Sequence, residues 1–207
     1  MDKAVAIVQA YLNVNGYFTV VEYPVLEGAP NGGWRSATDL DVLALRFPGA
    51  GRSANSKKAK RMRGNLVFEP DPVLGAPPDL PDMIVGEVKE GRAKFNAAAR
   101  NPKVLATALA RFGCCDVEEA SAITQKLVHK GQVETQRGHR IRMVAFGSRA
   151  DEPDQLAEGT ITMGHMVGFL RDYLGEHWDA LGQAQFKGEA LGFLALLEKA
   201  ARGMPSE

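Results

Sequence analysis

The segment Asp82–Lys89 constrains the fold of this chain more than any other, because an apolar run in it ends in a carboxylate and an ammonium. Its pattern predicts a short strand in which side chains two residues apart point to the same face. Glu87 and Lys89 therefore share one face, and Val88 points to the other. A carboxylate beside an amine at a strand end suits a metal-dependent phosphodiester hydrolase, and it also occurs as a plain ion pair on a surface strand.

A helix and a strand are predicted at the start of the chain. Residues 3–14 carry apolar side chains at the spacing of an amphipathic helix. Residues 17–25 are rich in aromatic and β-branched side chains, which predicts a strand. Because proline cannot donate a ladder hydrogen bond, Pro24 predicts that the far end of this strand lies at a sheet edge or is irregular.

A second strand is predicted at residues 38–46, after a turn at residues 28–33. One face of this strand contains leucines and is therefore expected to be partly buried, and a buried carboxylate is costly without a partner. This favours a functional role for Asp41, while Asp39 fits a functional and an exposed position equally well. The two faces are expected to carry Leu40, Val42 and Ala44 on one side and Asp39, Asp41, Leu43 and Leu45 on the other.

Residues 48–81 interrupt the strand pattern with a long loop that is basic in its first half and rich in proline in its second. A loop of this length inside a compact domain is usually functional or mobile. Its basic residues can contact nucleic-acid phosphates or simply be solvated, and no interleaved aromatic residue indicates base stacking. The candidate phosphate contacts are Arg52, Lys57, Lys58, Lys60, Arg61 and Arg63. A second basic cluster, open to the same two interpretations, consists of Arg137, His139, Arg140 and Arg142.

Helices and strands alternate through the second half of the chain. Capping residues and apolar periodicity predict helices at 101–112 and 116–131, strands at 139–147 and 160–163, and C-terminal helices within 165–203. His165, at a helix start, is expected to be a cap or a surface residue. Strands mixed with helices indicate an α/β fold in one domain over residues 1–207, with a central mixed sheet of four to five strands flanked by helices. The three early strands are expected to form a meander, which the next strand joins by a crossover.

Net charge, cysteine content and the length of apolar runs bear on the partners, the compartment and the membrane association that we expect. The formal net charge is zero, so overall charge neither favours nor excludes a nucleic-acid partner. The only two cysteines, Cys114 and Cys115, are adjacent, which argues against a disulfide framework or a common zinc site and favours a reducing, cytoplasmic compartment. We expect neither a signal peptide nor a membrane span, because no apolar run approaches about 20 residues.

Asp41 and Glu87 can meet if their strands are neighbours. Two facing carboxylates repel each other unless a cation lies between them, and Mg²⁺ or Mn²⁺ prefers such oxygen ligands. The ion would lower the pKa of a bound water, and Lys89 would orient that water or stabilise developing negative charge. The carbonyl of Val88 is a further candidate ligand.

The order of elements and two motifs resemble the restriction-endonuclease-like superfamily of PD-(D/E)xK nucleases. A helix and a strand precede the strand that carries Asp39-Leu40-Asp41-Val42-Leu43-Ala44, and the next strand carries Glu87-Val88-Lys89. The resemblance covers residues 3–112 and the strand at 139–147. It implies a restriction-endonuclease-like core, with Asp41 and Glu87 as metal ligands and Lys89 as the residue that assists the attacking water.

The sequence departs from this family pattern in three places. No proline precedes Asp41, and 87 − 41 = 46 positions separate the two motif acids, which is long for the motif. Many members place a glutamate in the first helix, where this chain offers Gln9. Glu22 and Asp39 are the other candidates for a third acid or polar ligand.

Three functions are compatible with these observations. The leading hypothesis is a Mg²⁺-dependent (or Mn²⁺-dependent) endonuclease or exonuclease that hydrolyses DNA phosphodiester bonds. The alternative is a catalytically inactive nuclease-fold module that binds nucleic acid or a protein partner through the basic loop. A metal-dependent hydrolase of another phosphoester is the third. Residues 101–135 also loosely resemble a helix-turn-helix with a wing, although few basic residues lie on its second helix.

Overall fold

Six helices and six strands make up the part of the chain that the computed structural model describes, residues 2–50, 69–149 and 159–203. The helices are α1 Lys3–Val14, α2 Pro102–Phe112, α3 Val117–Lys130, α4 Met163–Glu176, α5 Trp178–Leu181 and α6 Glu189–Ala201. The strands are β1 Tyr17–Gly28, β2 Trp34–Arg46, β3 Asp82–Arg92, β4 Gln132–Glu134, β5 Arg140–Arg149 and β6 Thr160–Thr162. A 3₁₀ turn, Pro72–Leu74, precedes β3.

The strands form one mixed sheet in the order β1-β2-β3-β5-β4, and β6 pairs with β5. β1, β2 and β3 are successive antiparallel neighbours, whereas β5 lies parallel to β3. The predicted mixed α/β sheet, with its meander and crossover, is confirmed. The sheet has six strands in place of the predicted four to five, because the three-residue β4 is too short to show an alternating pattern. β1 lies at a sheet edge, as Pro24 predicts.

Helices cover both faces of the sheet. α1, α4 and α6 pack on one face over a cluster that includes Tyr11, Val42, Ile84, Phe146 and Leu170. α2 and α3 pack on the other face over a cluster that includes Leu40, Leu43, Val85, Leu105, Leu127 and Ile141. The central strand β3 is therefore covered on both sides, and each charged group on it needs a partner. None of the described helices is long and apolar enough to cross a membrane.

Polar caps determine where several helices begin. The Asp2 side chain accepts a hydrogen bond from the Ala4 N–H at 2.7 Å and starts α1. Asn101 caps α2, and the predicted capping box of Asp116 with Glu119 is present at the start of α3. Such caps bind backbone N–H groups that have no partner within the helix. This is why the predicted starts of these helices agree with the structure.

The prediction that Leu40 lies on the same face of β2 as Val42 and Ala44 is wrong. Leu40 packs with Leu43 on the side covered by α2 and α3, although Val42 between them packs with α1 on the opposite side. A regular strand would place Leu40 and Val42 on the same face. The alternation of β2 is therefore interrupted at Asp41.

A distortion in the neighbouring strand accompanies this interruption. Val21 faces α1, whereas Tyr23 faces the opposite layer, so β1 changes faces as β2 does. Glu22, between them, has a left-handed backbone with a φ of 52°, a conformation that breaks the strand alternation. Because Val21 pairs with Val42, the kink at Glu22 lies beside Asp41. The fold thus places Asp41 at a bend shared by two strands.

Candidate functional site

The ladder between β2 and β3 ends next to Asp41. Its last pair is Val42 with Gly86, so Asp41 and Glu87 come next on the two strands. There, the Oδ2 atom of Asp41 accepts a hydrogen bond from the Val88 N–H at 2.7 Å. The Asp41 side chain therefore takes the position of a ladder carbonyl and lies against the Glu87–Lys89 segment.

Glu87 and Lys89 lie on one face of β3, as the period of a strand predicts. Their side chains form an ion pair with 2.5 Å between the lysine Nζ and the glutamate Oε1. The Glu87 side chain is only 2 % exposed, while that of Lys89 is 41 % exposed. The pair therefore joins an interior carboxylate to a cation that solvent and a substrate can reach.

A third group, Asn96, binds the same carboxylate. Its Nδ2 donates a hydrogen bond to Oε1 of Glu87 at 2.7 Å. Its Oδ1 accepts a hydrogen bond from the Ala99 N–H at 2.6 Å, so the amide is held from both ends. Sequence reasoning missed Asn96, because it lies beyond the end of β3 and reaches Glu87 only after the chain turns back.

Gly147 on β5 permits this return of the chain. A Cβ atom at Gly147 would lie 2.6 Å from the backbone nitrogen of Ala93, so the chain crosses directly over the glycine. The Ala93 N–H donates to the Arg149 carbonyl at 2.9 Å and fixes the crossing. Gly147 is the ladder partner of Lys89, so the crossing chain runs beside the ion pair. A glycine within a strand is the one signal in the sequence for such a close approach.

The environment of Glu87 disfavours its negative charge. Burial raises the pKa of Glu87, and the nearby charge of Asp41 raises it further. The hydrogen bonds from Lys89 and Asn96 act in the opposite direction, but the pKa stays above its ordinary value. An additional cation beside Glu87 and Asp41 would therefore relieve an unfavourable interaction.

Lys89 is held in its charged form. Burial opposes the charge, but the hydrogen bond to Glu87 and the attraction to Glu87 and Asp41 outweigh it and raise the pKa of Lys89. Near neutral pH the side chain is therefore an ammonium ion. An ammonium donates hydrogen bonds and accepts none, so Lys89 is suited to binding an anion and not to removing a proton.

The oxygen atoms at this site fit a hard divalent cation. Among the described residues, Oδ1 of Asp41 and Oε2 of Glu87 accept no hydrogen bond, so each carboxylate keeps one oxygen for a ligand. In a strand, the N–H and C=O of one residue point toward the same neighbouring strand, so the Val88 carbonyl also faces Asp41. Mg²⁺ keeps several waters and needs only one or two carboxylates. No cluster of three or more histidine, cysteine, aspartate or glutamate residues within 2–50, 69–149 and 159–203 could hold a metal.

Gln9, the candidate ligand from the first helix, lies away from this site. Its Nε2 donates to Oγ1 of Thr19 at 3.3 Å. Thr19 lies opposite Ala44, and Ala44 lies opposite Ile84. Ile84 precedes Glu87 by three residues, which is about 10 Å along a strand. The structure therefore does not bring Gln9 together with Glu87.

Glu22 and Asp39, the other two candidates, flank Asp41 but are directed elsewhere. Oε1 of Glu22 accepts a hydrogen bond from the Asp2 N–H at 3.2 Å, at the start of α1. Asp39 is exposed and lies opposite Pro24 on β1. The structure thus assembles Asp41, Glu87, Val88 and Lys89 and provides no third acid beside them from the described residues.

A second buried carboxylate, Asp82, is the first residue of β3. It accepts hydrogen bonds from the Tyr17 hydroxyl, from Nε of Arg140 at 2.9 Å and from Nη2 of Arg142 at 2.8 Å. Sequence reasoning missed this network, because it depends on the parallel register that places Asp82 opposite Arg140. Two members of the second basic cluster are therefore bound to an interior acid, which does not favour their use as phosphate contacts.

His165 lies in the first turn of α4 with 35 % of its side chain exposed, as expected of a surface position at a helix start, and its ring also binds an interior acid. Its ring is partly buried, and Nε2 lies 2.5 Å from Oδ2 of Asp71. The Tyr11 hydroxyl donates to the same oxygen at 2.7 Å, and the Asp71 N–H donates to Oδ1 of Asn15 at 2.6 Å. This network joins the segment before β3 to α1 and α4. It is a structural tie that the sequence did not reveal.

Two other expectations concern nucleic-acid contacts. The basic candidates Arg52, Lys57, Lys58, Lys60, Arg61 and Arg63 lie outside the described residues. The proposed helix-turn-helix corresponds to α2 and α3, whose apolar side chains are buried against the sheet. Packing of both helices on the sheet accounts for their sequence pattern without a role in DNA reading.

The site as a whole draws on three parts of the chain: the bend in β2, the middle of β3 and the segment that follows β3. The bend supplies Asp41, the strand supplies Glu87, Val88 and Lys89, and the following segment supplies Asn96.

The chain was compared with protein-family models, with curated proteins and with solved structures, and none of them matches it.

Proposed function

We propose that this chain is a Mg²⁺-dependent nuclease of the PD-(D/E)xK type, with a restriction-endonuclease-like core, that hydrolyses phosphodiester bonds of DNA. One observation carries the proposal. Asp41 binds the backbone of the Glu87–Lys89 segment, although the two motifs are far apart in the sequence. Asp41, Glu87 and Lys89 thus lie close together on neighbouring strands, an arrangement that supports the proposal.

Asp41 and Glu87 would hold the divalent ion through one oxygen each, with the Val88 carbonyl as a further ligand. A bound Mg²⁺ or Mn²⁺ would polarise the phosphate and lower the pKa of an attacking water. Burial of Glu87 strengthens its attraction to a cation, because the surrounding protein screens charge less than water does. The two carboxylates also repel each other, which favours a cation between them.

Lys89 would act on the phosphate as a donor of hydrogen bonds. Its raised pKa keeps it protonated, and its side chain is exposed enough to meet a substrate. An ammonium beside the scissile phosphate stabilises the negative charge that develops on the non-bridging oxygens. This role differs from that of a general base, which the charge state of Lys89 does not favour.

Cleavage of plasmid DNA in Mg²⁺ tests the proposal. We expect the wild type to cut DNA, and Glu87→Gln and Lys89→Gln each to lower the rate by about 10²–10³-fold. Glu90→Gln and Lys103→Gln are matched controls, because both residues are exposed and neither side chain is among the described partners of Asp41, Glu87 or Lys89. Thermal unfolding of every variant checks that the fold is intact. Absence of cutting by the wild type, or equal losses in the controls, would contradict the proposal.

One observation favours the alternative of an inactive module that binds nucleic acid or a protein partner. Among the described residues the site has two carboxylates, and one of them is already paired with Lys89. Calorimetric titration with Mn²⁺, with and without DNA, distinguishes the two functions. A nuclease binds the ion at Asp41 and Glu87, whereas an inactive module binds DNA or a protein without it.

A further inference from the structure

We infer that Asn96 is a positioning residue, which fixes one oxygen of Glu87 and leaves the other free for the divalent ion. This inference rests on the proposed function. Nδ2 of Asn96 lies 2.7 Å from Oε1 of Glu87, the same oxygen that Lys89 binds. The shortest contacts of both described partners are therefore made to a single oxygen atom of this carboxylate.

The position of Asn96 is itself determined by the fold. Its Oδ1 accepts the Ala99 N–H at 2.6 Å, which closes a turn ahead of α2. On the other side, Ala93 is hydrogen-bonded to Arg149 as the chain crosses Gly147. The segment is thus anchored at both ends, so the amide can orient Glu87 and does not merely follow it.

The chemistry of an amide suits this position. Asn96 donates a hydrogen bond to the Glu87 carboxylate at 2.7 Å, an interaction that favours the charged form of this group. Unlike a second lysine, it adds no positive charge and leaves the negative charge available to a metal ion. Groups that orient a metal ligand in this way commonly change metal affinity by about 10–100-fold when they are removed.

Asn96→Ser is the variant that isolates this contact. A serine hydroxyl can still accept the Ala99 N–H but is too short to reach Glu87. Asn101→Ser is the matched control, because Asn101 caps α2 by the same kind of bond, to the Lys103 N–H at 3.0 Å, and does not contact Glu87. We expect Asn96→Ser to weaken Mn²⁺ binding in calorimetry by about 10-fold or more. Asn101→Ser should bind Mn²⁺ as the wild type does.

A second readout does not depend on the metal. Carbon-13 titration of the Glu87 carboxyl in metal-free protein should show a higher pKa in Asn96→Ser than in wild type or Asn101→Ser. Asn96→Asp keeps the acceptor for Ala99 but replaces the donor by a negative charge, so it should raise the pKa of Glu87 further. This variant provides the test if Asn96→Ser does not fold. Unchanged Mn²⁺ affinity and an unchanged Glu87 titration in these variants would overturn the inference.

The two proposals fail in distinguishable ways. If the wild type binds no Mn²⁺, the proposed function fails, while the carboxyl titration still decides whether Asn96 controls Glu87. If the wild type binds Mn²⁺ and Asn96→Ser binds it equally well, the proposed function stands and the role of Asn96 is refuted.

Discussion

Strand β3 carries two buried carboxylates, Asp82 at its first residue and Glu87 near its middle, and the two have different partners. Asp82 is 0 % exposed and binds two guanidinium groups and a tyrosine hydroxyl through both of its oxygens. Glu87 is 2 % exposed, binds an ammonium and an amide through one oxygen, and lies near a second carboxylate. Two equally buried carboxylates therefore have different roles: Asp82 is a structural anion whose oxygens are both bound, and Glu87 is an anion that can still accept a cation.

The groups around Asp82 are matched to a permanent negative charge. Burial disfavours the charged form of Arg142, but its attraction to Asp82 and Tyr17 outweighs burial and raises the pKa of Arg142. Burial and the nearby charge of Asp82 together raise the pKa of Tyr17, which keeps its hydroxyl a donor. The Asp82 end is therefore a closed network, in which removal of one member leaves interior charges without partners.

Asp82→Asn tests the structural end of the strand and should have the largest effect. We expect a loss of about 3–5 kcal/mol in the free energy of unfolding, because Arg140 and Arg142 lose their buried counterion. Urea denaturation measures this value. Glu90→Gln, on the same strand but exposed, should change stability by less than about 0.5 kcal/mol. A loss of stability as small in Asp82→Asn as in this control would contradict the distinction between Asp82 as a structural anion and Glu87 as a candidate ligand.

Gly147→Ala tests how the fold supports the site at Glu87 and Lys89. The added Cβ would overlap the backbone of Ala93, so we expect a loss of about 1–3 kcal/mol in urea denaturation together with weaker Mn²⁺ binding. Gly91→Ala is the control, since a Cβ there has open space. If both variants are equally stable, the crossing of the chain over β5 does not support the site as described.

Glu87→Gln should have a small effect on stability, in contrast to Asp82→Asn. The amide can still accept bonds from Lys89 and Asn96, and the substitution removes a buried charge and its repulsion with Asp41. We expect a change within about 1 kcal/mol of wild type near neutral pH, with the sign favouring the variant. A loss of several kcal/mol in urea denaturation would show that Glu87 is a structural anion like Asp82.

The pH dependence of stability provides a second test of the effect of Glu87→Gln. The pKa of Glu87 is raised in the folded state, so its protonated form stabilises the fold. That contribution is fully present below the unfolded-state pKa and is lost as the pH rises through the folded-state pKa. We therefore expect Glu87→Gln to gain stability relative to wild type as the pH rises from the unfolded-state pKa of glutamate to the higher folded-state pKa of Glu87, whereas Glu90→Gln should not. A difference that is constant with pH would refute the assignment.

The sequence predicts those parts of the fold that depend on local chemistry. Asn101, Asp116 and Gly131 mark helix ends correctly, because caps and a left-handed glycine act on the nearest backbone groups. The period of a strand is enough to place Glu87 and Lys89 on one face. These predictions need no knowledge of what packs against the element.

The incorrect and missing predictions concern contacts between segments that are distant in the sequence. The face of Leu40 was predicted incorrectly, because a left-handed residue in the neighbouring strand, Glu22, accompanies the break in alternation. Asn96 was missed, because its contact requires the chain to cross Gly147. Asp82 was missed as a structural acid, because its partners follow from the register of two parallel strands. None of these relations is local in the sequence.

In the proposed function, Asp41 and Glu87 share one divalent ion. Anomalous diffraction from a crystal soaked in Mn²⁺ tests it most directly. We predict a peak within about 2.0–2.6 Å of one oxygen from each carboxylate, with Asn96 still bound to the other oxygen of Glu87. A peak elsewhere, or no peak while Lys89 and Asp41 keep their present contacts, would contradict the claim.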